Sequence, residues 1–131
     1  MKKVMAFGTF DGLHEGHCFF LRSARQLGDS LLVVVARDCT VLAVKGKVPR
    51  RTELERQKDI QASGLADSVI LGEEGDKYQV IRRASPDIIA LGYDQKAFVD
   101  NLAAKIGTTT HIVRLPAFHP EIYKSSRLEP V

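Results

Sequence analysis

Cysteine is scarce in this chain. Cys18 and Cys39 are the two present among 131 residues, too few for a disulfide framework, and neither belongs to a Cys-x-x-Cys pair of the redox or zinc kind. A reducing, cytoplasmic setting is the expectation. Long apolar runs are missing too: nothing approaches the ~20 residues a helix needs to cross a bilayer, so no membrane span is expected. Met1-Lys2-Lys3 leads only into Val4 to Phe7 before Gly8 interrupts, shorter than the apolar region of a secretory signal. Massed positive charge is absent as well. The net charge is +3, but the basic residues are spread over Lys2, Lys3, Lys45 to Arg51, Arg82, Arg83 and Arg127 with no aromatic platform among them, which argues against a nucleic-acid partner. A small anionic substrate accounts for that modest surplus. There is no internal repeat and no low-complexity linker.

What is present is the composition of an ordinary globular domain, 44% hydrophobic and 27% charged. A chain of this length reads as one domain over residues 1–131. Strands are expected at Lys3–Gly8, Leu31–Ala36, Asp67–Leu71, Asp87–Leu91 and Thr109–Leu115. Leu31–Ala36 is apolar without alternation, as a strand covered on both faces should be. Helices are expected between the strands. The first carries Phe20, Ala24 and Leu27 on one face and stops at Gly28. A short one covers Arg37–Val44. A third opens on the Thr52-x-x-Glu55 capping box, runs to about Gly64 and is polar on most faces, which predicts exposure or a partner. Asp76–Ala84 is a fourth, and a fifth carries Phe98, Leu102 and Ile106 and closes at Gly107. Alternation of this kind predicts an α/β fold, a Rossmann-like doubly wound five-stranded parallel sheet. Ligands of such sheets bind beyond the carboxyl ends of the strands, where strand order reverses. The turns after Gly8 and Gly92 both lie at carboxyl ends and should face one crevice.

The stretch Ala6 to His17, AFGTFDGLHEGH, has the makings of a phosphate seat. An apolar strand ends in Gly8, a short turn follows, and His14, Gly16 and His17 stand at the start of a helix. Free backbone N–H groups and the positive end of the helix dipole would converge on one spot, and two imidazoles would add donors. Gly8 and Gly16 would let the chain turn and an anion come close. The i, i+3 spacing of His14 and His17 sets both on one side of the first turn. The plainer alternative makes them a polar turn residue and an exposed helix residue. Zinc fails on spacing, because HEGHC is not HExxH and no further cluster completes a tetrahedral shell. Asp11 is read as a cap for the turn before the helix, or as a residue that helps to position a metal. Lys45 and Lys47 lie in a basic loop able to fold over a triphosphate, although a solvated charge run is the commoner fate of such segments. Asp94, after the fourth strand, could accept from ribose hydroxyls or cap the next helix. Ser125, Ser126 and Arg127 make a second anion seat.

GTFDGLHEGH resembles the signature of the cytidylyltransferase-like nucleotidyltransferases, in which a GTFD strand end precedes a His-x-Gly-His pair. Within that group the chain is similar to archaeal-type FAD synthases and to glycerol-3-phosphate cytidylyltransferases, through ARDCTVLAVKG (Ala36 to Gly46), PDIIALGYDQ (Pro86 to Gln95) and YKSSRL (Tyr123 to Leu128). The resemblance covers nearly the whole chain. It implies that His14, His17, Lys45 and Arg127 act on the phosphates. It further implies that Gly8, Thr9, Phe10, Asp11, Gly16, Arg56, Gly92, Tyr93, Asp94, Tyr123, Ser125 and Ser126 line the nucleotide site. The implied reaction joins ATP or CTP to a phosphorylated small acceptor such as FMN and releases pyrophosphate. Mg2+ would be carried by the nucleotide phosphates, and the polar third helix together with the resemblance points to a homodimer. Where the cytidylyltransferases carry Arg-Thr-Glu-Gly, this chain has His119-Pro-Glu-Ile122, which argues against a glycerol 3-phosphate acceptor. A nucleotide-binding module without turnover is the alternative from another functional class.

Overall fold

Every strand predicted above forms, and all of them belong to one sheet. The computed structural model describes residues 2–72, 79–92 and 110–115. In it β1 (Lys3–Gly8), β2 (Ser30–Val35), β3 (Ser68–Leu71), β4 (Ile88–Leu91) and β5 (His111–Arg114) pair in parallel in the order β3-β2-β1-β4-β5. The chain steps outward from β1 through β2 to β3, then crosses back to β4 on the other side of β1. Strand order therefore reverses between β1 and β4. Register runs from Val4 opposite Ile88 to Ala6 opposite Ala90, and two residues further along each strand stand Gly8 and Gly92. The two turns leave the sheet side by side.

Parallel strands need both faces covered, and two apolar clusters provide the cover. On one face Leu21 and Ala24 of α1 (Glu15–Arg25) and Ile60 of α3 (Glu53–Ser63) pack with Val4, Ala6, Val33 and Ala90. On the other, Val80 and Ile81 of α4 (Gln79–Ala84) pack with Met5, Val34, Ile89 and Leu91. α2 (Asp38–Lys45) follows β2 at its carboxyl end. Alternate residues of β1 thus serve opposite cores, as a period of two requires.

Three aspartates tie the amino-terminal edge of the sheet. Asp29 accepts from the Lys2 amide at 2.6 Å, Asp87 from the Lys3 amide at 2.8 Å and Asp67 from the Leu31 amide at 2.7 Å. Each stands just before one strand and caps the backbone of its neighbour. The recurring Asp before an apolar run is their trace in the sequence.

One expectation needs correction. α1 ends at Arg25 with Gln26 as its cap, so Gly28 is not the stop. Gly28 is there because a β-carbon on it would come within 2.8 Å of the Lys2 carbonyl and of Val4, so the turn packs directly on β1. α3 is exposed over most of its length, as its polar faces predict: Leu54, Glu55, Lys58, Gln61, Ala62 and Ser63 are exposed. Ile60 and Arg56 are fully buried, and Gln57 donates to the Val69 carbonyl at 3.0 Å. Reading apolar residues alone missed the packing face because half of it is an arginine. The amino end of the fourth predicted helix, residues 76–78, and the helix of Phe98, Leu102 and Ile106 lie outside the described residues.

Candidate active site

The turn after β1 is shaped by side-chain packing. Phe10 is buried with its backbone in the left-handed region at φ 54°, a conformation costly for a residue with a β-carbon. The ring lies on Gly8: a β-carbon there would sit 2.7 Å from Phe10 Cε2 and Cζ. The space left by the absent side chain of Gly8 therefore holds an aromatic ring and not an approaching anion, which corrects the role expected for that glycine. The same ring meets His17 edge to face, with centroids 5.3 Å apart at 75°.

α1 then begins with a capping box made of two histidines. Nδ1 of His14 accepts from the Gly16 N–H at 3.1 Å, and Nδ1 of His17 accepts from the His14 N–H at 3.4 Å. This is the Ser/Glu arrangement of ordinary helix starts with imidazole nitrogens in both acceptor positions. The rings stack with centroids 3.7 Å apart at 21°. A nitrogen that accepts carries no proton, so in each neutral ring the proton is on Nε2. The backbone thus sets both tautomers at the start of α1.

His17 is half-buried, and its pKa is pushed down to about 4, mainly by desolvation and then by the neighbouring His14, with Lys45 adding to the effect and the Gly12 carbonyl and Asp11 opposing it. At neutral pH His17 is an uncharged donor. Two parts of the phosphate-seat reading are corrected by this geometry: the Gly16 amide is occupied by His14, and His17 does not supply positive charge. Replacing Phe10 with alanine should let water reach His17 and raise its pKa back toward the ordinary value near 6.5. A titration of the ring protons by NMR would show it, and an unchanged pKa would remove Phe10 as the cause of the desolvation.

Charge comes from elsewhere. Lys45 is the last residue of α2, exposed, and is followed by Gly46 in the left-handed region; its charge helps to lower the His17 pKa. Among the described residues Asp11 neither caps α1 nor belongs to an acidic cluster. Its two carboxylate oxygens accept the Arg50 and Arg51 amides at 2.9 and 3.0 Å, and these bonds hold its pKa below the usual carboxylate range, led by the one from Arg50. The carboxylate binds the basic loop to the turn. Among the described residues no group of three or more His, Cys, Asp or Glu side chains is placed to hold a metal ion.

Arg56 is where the structure departs most from the expected site. It is fully buried. Nε donates to the Arg51 carbonyl at 3.1 Å, Nη1 to the carbonyls of Thr9 and Ala36 at 2.8 Å each, and Nη2 to Asp38 at 2.6 Å. An arginine so placed braces the ends of β1 and β2 against α2 and the basic loop, and does not reach for a nucleotide. Asp38 and Glu53 reinforce it from the starts of α2 and α3. Glu53 accepts the Asp38 amide at 2.8 Å, and Asp38 accepts the Glu53 amide at 3.4 Å. Sequence reasoning had no part for this pair; an acidic first residue on each of two consecutive helices was the available signal.

Thr9 is present through its carbonyl, and Gly92 closes β4, where its carbonyl accepts from Arg114 at 2.8 Å. Tyr93, Asp94, His119, Tyr123, Ser125, Ser126 and Arg127 lie outside the described residues. The structure thus brings Gly8, Thr9, Phe10, Asp11, His14, Gly16, His17 and Lys45 to one end of the sheet, next to the reversal of strand order.

The sequence profile of the cytidylyltransferase-like family matches residues 5–127. The chain belongs to that family. Cytidylyltransferase-like relatives include the FAD synthase of Methanosarcina barkeri, 45% identical over 119 residues that cover 88% of this chain and 84% of the relative. The FAD synthase of Thermoplasma volcanium is 43% identical over 129 residues, covering 96% and 90%. Among solved structures, a lipopolysaccharide core biosynthesis protein of Thermoplasma volcanium superposes with a TM-score of 0.84 at 45% identity, covering 90% of this chain and 98% of that one. The pantoate-beta-alanine ligase of Francisella tularensis, at 18% identity and a TM-score of 0.62 over 88% of this chain and 59% of its own, shares the fold. As a member of the cytidylyltransferase-like family, the chain is a nucleotidyltransferase.

Proposed function

We propose that this protein is an FMN adenylyltransferase, an FAD synthase that joins ATP and FMN and releases pyrophosphate. The observation that carries the chemistry is the stacked His14–His17 pair at the start of α1, whose Nδ1 atoms both accept backbone N–H groups. The choice of ATP and FMN is supported by the relatives named FAD synthase, 36–45% identical over most of the chain.

The reaction needs no covalent intermediate on the protein. A phosphate oxygen of FMN, already an anion, attacks the α-phosphorus of ATP; the new oxygen–phosphorus bond forms as the bond to the bridging oxygen of pyrophosphate breaks. Catalysis then consists of holding the nucleophile in line and stabilising charge on the phosphate oxygens. Donors fixed before the substrate arrives do this without reorganisation, and His14 and His17 are fixed in that sense. Lys45 adds positive charge, and Arg127, with Ser125 and Ser126, is assigned to the outer phosphates by resemblance. Tyr93, Asp94 and Tyr123 are assigned to the nucleotide pocket on the same ground. Arg56 and Asp11 shape the site without reacting.

A divalent cation, Mg2+ in this reading, would supply charge neutralisation on the nucleotide phosphates when bound with them. The Asp11 carboxylate is occupied by two amides, so among the described residues such an ion has no ready protein ligand and would be held by phosphate and water. The reading also includes a homodimer, with exposed Leu42, Val48 and Leu54 as surface for a second copy; sedimentation at micromolar concentration showing only monomer would exclude it.

The deciding experiment offers ATP or CTP with FMN or glycerol 3-phosphate and follows pyrophosphate release. FAD formed from ATP and FMN is the expected product. Turnover confined to CTP and glycerol 3-phosphate, or tight nucleotide binding without turnover, would overturn the reading.

A further inference from the structure

The basic loop contains a further cation, Arg50, near the end of the run Lys45 to Arg51 that the sequence makes able to fold over a triphosphate. Arg50 and Arg51 are adjacent, yet their side chains have different surroundings. Arg51 is paired with Asp59, Nε to Oδ2 at 2.6 Å and Nη2 to Oδ1 at 3.0 Å. Arg50 is exposed and has no carboxylate within salt-bridge distance among the described residues. Its guanidinium comes back over the turn after β1: Nη2 lies 3.5 Å from the point that a β-carbon on Gly12 would occupy. Gly12 is in the left-handed region at φ 79°, two residues before His14, and the guanidinium passes over it at van der Waals distance. What brings the arginine there is Asp11, which takes the amides of Arg50 and Arg51 on its two oxygens.

We infer that Arg50 binds a substrate phosphate group beside the His14–His17 pair, and that Asp11 is the positioning residue that holds it there. An exposed guanidinium offers a planar set of N–H donors suited to phosphate oxygens. It also supplies a fixed positive charge that the neutral His17 does not. The assignment of Asp11 explains why an aspartate stands in the turn although, among the described residues, it neither caps α1 nor joins an acidic cluster. Both substrates of the proposed reaction carry phosphate, so the shared chemistry is a phosphate oxygen, and the inference rests on the nucleotidyltransferase reading.

The test measures binding separately from turnover. Arg50→Gln should weaken ATP, pyrophosphate or FMN roughly 10-fold, the loss expected for one charge-assisted hydrogen bond. Loss confined to ATP and pyrophosphate places the guanidinium on the nucleotide, and loss confined to FMN places it on the acceptor. Arg50→Lys should restore part of the affinity. Arg22→Gln, at the far end of α1, removes the same charge and should leave all affinities within about twofold. Asp11→Asn should weaken the same ligand as Arg50→Gln, and the double variant should be no worse than Arg50→Gln alone. Unchanged affinity for all ligands in Arg50→Gln, equal losses in Arg22→Gln, or additive losses in the double variant would overturn the inference. Calorimetric titration of ATP and pyrophosphate needs no turnover, so failure here is separable from failure of the FMN assignment.

Discussion

Replacing His17 with asparagine should lower turnover by about 100-fold or more, the usual loss when one preorganised donor to a developing oxyanion is removed. Asparagine is the informative choice because its Oδ1 can still accept the His14 amide, as Nδ1 of the imidazole does at 3.4 Å. The helix start stays capped while the imidazole N–H disappears. His17→Ala would mix that loss with about 1 kcal/mol of capping energy. The steady-state rate, read beside a melting curve within about 5 °C of the parent, separates chemistry from folding. A variant that turned over at the parent rate would take His17 out of the mechanism.

The pH dependence follows from the same residue. Its pKa of about 4 in the fold lies below the value of 6.5 in an unfolded chain, so between those values the unfolded chain binds more protons. Stability from this residue is therefore present in full above pH 6.5 and is lost as pH falls toward about 4. Turnover should show no ionisation of His17 near neutrality. A rate profile with an inflection near pH 6.5 that disappears in His17→Asn would contradict a neutral donor.

The larger structural effect belongs to Arg56. Arg56→Met should destabilise the protein by about 3–5 kcal/mol, as breaking a buried charge network from one side does. That corresponds to a fall of roughly 10–20 °C in melting temperature for a domain of this size. The cause is what the arginine leaves behind: carbonyls of Arg51, Thr9 and Ala36 without a donor, and Asp38 without its counter-charge. Arg56→Lys should recover only part, because one ammonium cannot reach acceptors spread around a planar guanidinium. Activity should fall with the fold, since Thr9 begins the turn that carries Phe10 and Asp11. A melting temperature unchanged in Arg56→Met, with ATP affinity reduced, would return Arg56 to the nucleotide site.

Most of the architecture was legible because burial repeats along the chain. A period of two, or unbroken apolar residues at Leu31 to Val35, marks strands, and spacing of three and four marks α1. The packing side of α3 was less legible for the converse reason: Arg56 looks polar in a sequence and becomes a core residue once four acceptors surround it. Asp11 was misread because a carboxylate before a helix usually caps that helix, whereas its partners are the amides of Arg50 and Arg51, 39 and 40 residues away. No local pattern carries that information.

From its own residues, then, the chain determines a parallel α/β sheet, a glycine-bounded turn after β1 and a pair of histidines three apart at a helix start. These depend on backbone conformation and side-chain period, which are properties of neighbours in sequence. The third dimension alone decides that Phe10 fills the space above Gly8 and dries His17, that the histidines face the backbone through Nδ1, that Arg56 is a brace and that Asp11 draws Arg50 over Gly12. Each of those outcomes is a contact between segments that chain order leaves unspecified, settled by where β1 and β2 end beside each other and by what must be hydrogen-bonded there.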